Sequence, residues 1–68
     1  MQPKAHYVCE EIPQHGAPWR HPATTFDAAR LSASAAVRAA RFERGPLRPR
    51  IVRVVDILTG RAVSAMYA

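Results

Sequence analysis

The sequence is poor in the residues that build several common kinds of site. It holds a single cysteine, Cys9, so no disulfide can form within the chain. Its three glycines do not form a glycine-rich phosphate loop. No apolar run approaches the length that spans a membrane, and no signal-peptide stretch follows the N-terminus. These absences favour a cytoplasmic protein without a cofactor over a disulfide-rich secreted domain, a nucleotide-dependent enzyme or a membrane protein.

The short length limits the architecture further. A chain of 68 residues forms one small domain, residues 1–68. Its composition, with 49% hydrophobic and 22% charged residues, suits a folded protein. The same few elements must supply both the core and any cleft, so a deep catalytic pocket is not expected.

Positive charge is what the sequence has in excess. Ten basic residues stand against five acidic ones, for a formal net charge of +5, and every basic residue except Lys4 is an arginine. The planar guanidinium group pairs bidentately with carboxylates and phosphates. We therefore expect the partner to be an acidic protein surface or a nucleic acid. The alternative is that the arginines only keep the domain soluble.

The central stretch, residues 30–43, predicts an amphipathic helix. Alanine is the best helix former, no proline or glycine interrupts the run, and Gly45-Pro46 is expected to end it. One side is apolar and is expected to pack on a sheet; it comprises Leu31, Ala35, Ala39 and Phe42, with Ala33, Ala36, Val37 and Ala40 beside them. Basic residues lie on the opposite side and continue past the helix end. The predicted partner-binding residues are Arg30, Arg38, Arg41, Arg44, Arg48 and Arg50.

The C-terminal third gives the clearest β-strand signal. Two β-prone runs, 50–58 and 61–67, flank Thr59-Gly60 and predict a β-hairpin, and the first of them is rich in β-branched residues. The phase of the first strand is ambiguous, and we favour Val52 and Val54 as the residues that face inward.

Residues 5–12 also predict a strand, because they are rich in β-prone side chains and are followed by proline. Alternation places Glu10 and Glu11 on opposite faces, which argues against a paired-carboxylate site. The two glutamates indicate that the end of this strand is solvated or faces an arginine.

The segment between this strand and the helix is harder to interpret. Its three prolines and one glycine predict a loop over residues 13–22, with Trp19 folded onto the edge of the core. Residues 23–28 predict a short second strand. The alternative is that Thr24 or Thr25 caps the first turn of the helix.

Together these elements predict an α+β fold with the order β-β-α-β-β. Three or four antiparallel strands would form one sheet, packed on the single helix. An exposed edge strand of such a sheet is able to pair two copies of the chain.

Residues with catalytic or metal-binding chemistry are present but poorly arranged. The spacing of His6, Cys9, His15 and His21 matches no standard zinc site, so we expect no metal ligand. No serine or cysteine lies in a recognisable nucleophile motif. We therefore expect no catalytic residue and a protein that is not an enzyme. The aromatic residues do not interleave with the arginines, so the sequence gives no support for base-specific recognition, and contact with a phosphate backbone remains the alternative to protein binding.

Three segments resemble a family of small phage anti-CRISPR proteins that inhibit the type I-F surveillance complex, Cascade. Residues 4–12 resemble the first strand of that family. Leu31-Ser32, followed by alanines and Arg38, resembles its basic helix, and the hairpin around Thr59-Gly60 resembles its Asn-Gly hairpin.

This resemblance implies a curved antiparallel sheet wrapped on one helix. It also implies a phage protein that docks on the backbone subunits of Cascade in the bacterial cytoplasm and interferes with target DNA binding. In the family a consecutive Lys-Arg pair of the helix makes this contact. Here the pair reads Val37-Arg38, so Arg38 is the one contact residue that the resemblance assigns.

Overall fold

A computed structural model describes residues 4–45 and 47–68. The elements are β1 (Tyr7–Pro13), β2 (Trp19–Ala23), α1 (Phe26–Ala40), β3 (Pro49–Asp56) and β4 (Ala62–Tyr67). All strand pairs are antiparallel, the sheet order is β2-β1-β3-β4, and α1 packs on one face. The predicted α+β fold, with its β-β-α-β-β order, is confirmed.

Strands β1 and β3 are the two central strands of the sheet and carry its buried residues. Cys9 lies directly opposite Val54, and both side chains are buried under the helix. Val52 is buried on the same face. The inward phase predicted for Val52 and Val54 is therefore confirmed.

The predicted hairpin is present between β3 and β4. Gly60 takes a positive φ of 73°, which a residue with a side chain rarely adopts. The Asp56 carboxylate accepts a hydrogen bond from the Leu58 N–H at 2.9 Å, and its carbonyl accepts one from the Gly60 N–H at 2.8 Å. These bonds hold the turn in place of the stronger Asn-Gly signal that the sequence lacks.

The helix begins earlier than the prediction of residues 30–43. Thr25 is its N-cap, and the Thr25 hydroxyl accepts a hydrogen bond from the Ala28 N–H at 3.1 Å. The short strand expected over residues 23–28 is therefore wrong, and the alternative with Thr25 as the cap is confirmed. The cap satisfies a helix N–H that would otherwise lack a partner, and this outweighs the weak β propensity of Thr-Thr-Phe.

The end of the helix also differs from the prediction. The helix stops at Ala40, and the next backbone N–H groups bond three residues back, as in the bond from Phe42 to Ala39 at 3.0 Å. Gly45 follows with a φ of 102°, while Pro46 lies outside the described residues.

The side of the helix that packs on the sheet is rotated relative to the prediction. The fully buried helix residues are Ala29, Ala33 and Ala40, with Ala36 and Val37 partly buried. The larger side chains expected inside, Leu31 and Phe42, are exposed. Because alanines occupy both sides, helical periodicity does not set the rotation. Contact with the sheet selects the side whose residues are all small.

The proline-rich segment predicted as a loop contains a strand. Residues 19–23 pair with β1, and Trp19 lies opposite Glu11 at the sheet edge, about half exposed. The loop itself is limited to residues 14–18, with Gly16 at a φ of 97°. Pro22 is tolerated because β2 is an edge strand, where one side of the backbone needs no partner.

The core is small. Cys9, Ala29, Ala33, Val52 and Val54 form its buried centre, and partly buried side chains close its ends. One helix is present in the described residues, and it is neither long nor apolar enough to cross a membrane.

Candidate functional site

Three of the six predicted arginines lie together along one side of the helix and its C-cap, which is Arg41. Arg30, Arg38 and Arg41 are exposed and fall within an arc of about 80°, at about 100° per residue. The Arg30 guanidinium lies 3.9 Å from the Asp27 carboxylate, in an exposed pair that contributes little stability. We call these three residues the arginine flank. The part of the chain that the structure describes shows no further ion pair for it.

The other three predicted residues have different environments. Arg44 is exposed after the helix. Arg50 donates a hydrogen bond to the Gln14 side chain at 2.9 Å, which ties β3 to the loop after β1. Arg48 is engaged inside the molecule: its Nε donates to the Ala40 carbonyl at 2.8 Å and its Nη1 to the Ala68 carbonyl at 3.4 Å. Arg48 therefore closes the helix C-terminus, and the exposed basic surface is smaller than the prediction.

An apolar ridge runs beside the arginine flank. It consists of Ala28, Leu31 and Ala35 on the back of the helix and Phe42 in the turn that follows. Leu31 is 61% exposed and Phe42 is 88% exposed, so this surface has no cover within the described chain. Large apolar side chains that share one exposed side are typical of surfaces that contact a partner.

A second charged group lies on the opposite side of the molecule, on the sheet face that the helix does not cover. Glu10 lies directly opposite Arg20 on β2 and Arg53 on β3. Its carboxylate accepts a hydrogen bond from the Nε of Arg20 at 2.7 Å and one from the Nε of Arg53. We call these three residues the charged row.

The charged row keeps Glu10 ionised although its side chain is only 5% exposed. The hydrogen bond from Arg20 lowers the pKa of Glu10, burial acts in the opposite direction, and the hydrogen bond and charge of Arg53 lower the pKa further. The prediction that this end of the strand is solvated or faces an arginine is confirmed for Glu10. The three side chains of the charged row together carry a net charge of +1 on the sheet face that the helix does not cover.

A shallow groove lies between the helix and the β1–β2 edge. It is lined by Glu11 and His21 from the sheet and by Ser32 and three alanines from the helix. The His21 Nε2 is hydrogen-bonded to the Glu11 carboxylate. Within the described residues Ser32 has no hydrogen bond to His21, so these side chains do not form a nucleophile–base chain.

The four residues considered for a metal site do not lie close together. Cys9 is fully buried in the core, and burial is the main cause that raises the pKa of its thiol. His6, His15 and His21 are exposed. Over residues 4–45 and 47–68, no three His, Cys, Asp or Glu side chains lie close enough to hold a metal ion.

The sequence reasoning missed two of these features. The charged row depends on strand register, which brings together residues 10 and 43 positions apart. Leu31, Ala35 and Phe42 of the ridge belong to the apolar side that the sequence predicts, but that prediction places them in the core and not on the surface. Comparison of the chain with protein families, curated proteins and solved structures gave no match. Function must therefore be inferred from the surfaces themselves.

Proposed function

We propose that this protein acts by binding rather than by catalysis, and that the arginine flank docks on an acidic surface of a partner protein. The flank presents three guanidinium groups along a rigid helix. A helix holds these groups at fixed spacing, so little conformational entropy of the backbone is lost when they meet carboxylates.

The observation that carries the proposal is the apolar ridge beside the flank. A surface that contacts only a phosphate backbone gains no affinity from exposed Leu31 and Phe42. A protein partner gains free energy by burying them, at about 25 cal/mol for each Å² of apolar surface. Apolar anchors bordered by arginine are characteristic of protein interfaces.

A narrower form of the proposal names the partner. The resemblance to the anti-CRISPR family suggests that the protein is phage-encoded and that it docks on the type I-F Cascade complex in the host cytoplasm. Arg38 then contacts a backbone subunit, and target DNA binding is inhibited. This form rests on the resemblance, whereas the general form rests on the flank and the ridge.

Contact with the phosphate backbone of DNA or RNA is the alternative function. The net charge of +5 and the exposure of the flank favour it. It requires no ridge, and its affinity falls by about one decade per decade of salt for each phosphate contact.

Charge reversal with a matched control tests both functions. The double variant Arg38→Glu/Arg41→Glu changes the flank, and Arg61→Glu with Lys4→Glu makes the same charge change at exposed positions away from the helix. A third variant, Leu31→Ser/Phe42→Ser, changes the ridge alone. Binding to purified type I-F Cascade and to short DNA and RNA duplexes is measured by calorimetry and mobility shift.

The expected result is binding to Cascade that is lost in the flank variant, weakened at least about tenfold in the ridge variant and kept in the control. Binding to nucleic acid alone, equal in the ridge variant and the wild type, would support the alternative. Absence of Cascade binding removes the anti-CRISPR form. Cascade binding that survives both helix variants removes the helix as the docking surface.

A further inference from the structure

The two edges of the sheet differ in how well they are protected. The outer strand β2 carries Arg20, His21 and Pro22, and proline and basic side chains are the usual means of blocking an edge. The outer strand β4 has the sequence AVSAMY, with no charged residue and no proline. One edge is therefore closed to further strands, and the other is open.

The backbone of β4 presents free hydrogen-bonding groups along this open edge. The Ala68 N–H donates to the Arg50 carbonyl on β3 at 2.9 Å. Backbone groups alternate in direction along a strand, so those of Ser64 and Met66 also face β3, and those of Ala65 and Tyr67 face away from it. No strand lies beyond β4 within the described residues. The outward N–H and C=O groups of Ala65 and Tyr67 are thus exposed to solvent.

We propose that β4 pairs antiparallel with β4 of a second copy, about a twofold axis at Ala65. The strand is complementary to itself in this register. Ala65 meets its own counterpart, and Tyr67 comes opposite Val63 of the second copy at both ends. Tyr67 is 86% exposed and Val63 is 49% exposed, so the pairing covers two apolar side chains that the single copy leaves in water.

A second copy fits this edge better than another partner does. The strand offers no charged side chain with which to select an acidic or basic peptide. Because β2 is blocked, the only edge that a second copy offers to β4 is its own β4. The contact is then isologous and closes as a dimer instead of growing into a fibre.

The same geometry sets the strength of the dimer. The β-bulge at Val63 ends the regular part of β4 there, so the ladder between the two copies spans only residues 63–67. Such an interface is smaller than that of an obligate dimer, so the dimer is weak and concentration-dependent. The net charge of +5 on each copy opposes association, so added salt strengthens the dimer.

Sedimentation equilibrium of the full chain, from about 10 µM to about 1 mM, tests the proposal. The apparent mass should rise from 7.5 kDa towards twice that value. Ala65→Pro removes an outward N–H and leaves the β3–β4 ladder intact, because the lost donor faces solvent. We expect it to weaken the dimer about tenfold or more, whereas Ala65→Ser, which keeps the N–H, retains the dimer.

Amide hydrogen exchange of the wild type identifies the surface directly. The Ala65 and Tyr67 amides should exchange more slowly as protein concentration rises, while Ser64 and Met66 stay protected at every concentration. If Ala65→Pro does not fold, Ala65→Lys decides instead, since it places two like charges directly opposite each other at the twofold axis and should abolish the dimer. A mass that stays at 7.5 kDa throughout, or a dimer unaffected by the folded variant, would overturn the proposal.

Discussion

Replacing Glu10 with glutamine tests how far the charged row stabilises the fold. The change keeps the side-chain volume and removes the charge. The carboxylate is 5% exposed and accepts hydrogen bonds from Arg20 and Arg53. Glutamine offers one acceptor atom, and its NH₂ group faces the second guanidinium, so one of the two bonds is lost and the other is weakened.

The expected loss follows from the environment of the three side chains. A hydrogen bond to a charged group contributes about 1.5–3 kcal/mol. Arg20 is 65% exposed and Arg53 is 42% exposed, so water replaces much of what each guanidinium loses. We take about 1 kcal/mol for the bond that is lost and about 0.5 kcal/mol for the bond that is weakened, and therefore about 1.5 kcal/mol for Glu10→Gln. In a domain of this length that lowers the Tm by about 10 °C.

Urea and thermal unfolding at neutral pH, followed by far-UV circular dichroism, measure the change. Glu43→Gln is the matched control, because Glu43 is exposed and the chemical change is the same. Arg53→Met in both backgrounds completes a double-mutant cycle and isolates the pair energy. A difference of less than about 0.5 kcal/mol between Glu10→Gln and the control, or a cycle without coupling, would show that the charged row does not stabilise the fold.

Three further predictions concern the charged row and the buried core. Because its arginine partners lower the pKa of Glu10, the carboxylate stabilises the fold above its unfolded pKa of about 4.3, and this contribution is lost as pH falls through the lower folded pKa. The stability difference between wild type and Glu10→Gln, measured by urea unfolding, should therefore shrink to nothing in acid; a constant difference would contradict this. Ala33→Leu should destabilise the fold by about 1–3 kcal/mol, because Ala33 is fully buried under the sheet, whereas exposed Ala35→Leu should change it by less than about 0.5 kcal/mol. Equal effects of the two substitutions would indicate that the helix packs with the side that contains Leu31 and Ala35 against the sheet, as helical periodicity predicts. Burial also raises the pKa of the Cys9 thiol, so Ellman's reagent should react with native protein only as fast as the chain opens, and fast reaction without denaturant would show an accessible thiol.

The hairpin was predictable because local signals agree there. Residues 50–58 are rich in β-branched side chains, residues 61–67 add the β-prone Val63 and Tyr67, and Gly60 supplies the positive φ that the turn requires. The strand at residues 5–12 was predictable for the same reason. In each case propensity, alternation and turn chemistry point to one structure without any knowledge of distant contacts.

The rotation of the helix was not predictable from its pattern. Periodicity assigns the largest apolar residues to the core, so Leu31 and Phe42 were placed inside. The centre of the core takes only alanines from the helix, because Ala29 and Ala33 belong to the same buried cluster as Val52 and Val54 of the sheet. Apolar residues occur both on the ridge and on the side that faces the sheet, and only packing shows which side the sheet accepts.

The charged row was beyond sequence reasoning for a different reason. Alternation alone separates Glu10 from Glu11 and indicates an arginine partner for one of them. It does not choose among nine arginines, since the choice depends on the register of two strand pairs. By contrast, the exposed arginines of the helix are predictable, because basic residues at helical spacing are visible in the local sequence alone.

The two proposed surfaces reinforce each other through symmetry. A twofold axis between paired antiparallel strands stands perpendicular to the sheet, so both copies carry their helix on the same side. Two arginine flanks then face one direction and are able to engage a partner with repeated acidic subunits simultaneously. The second contact becomes intramolecular, and the overall affinity exceeds that of one flank without any new contact. Salt separates the two effects, because it weakens each flank contact while it strengthens the dimer. An affinity that passes through a maximum with rising salt is therefore the signature of a dimer that binds through both helices, and a monomer bound by charge alone gives a steady decline.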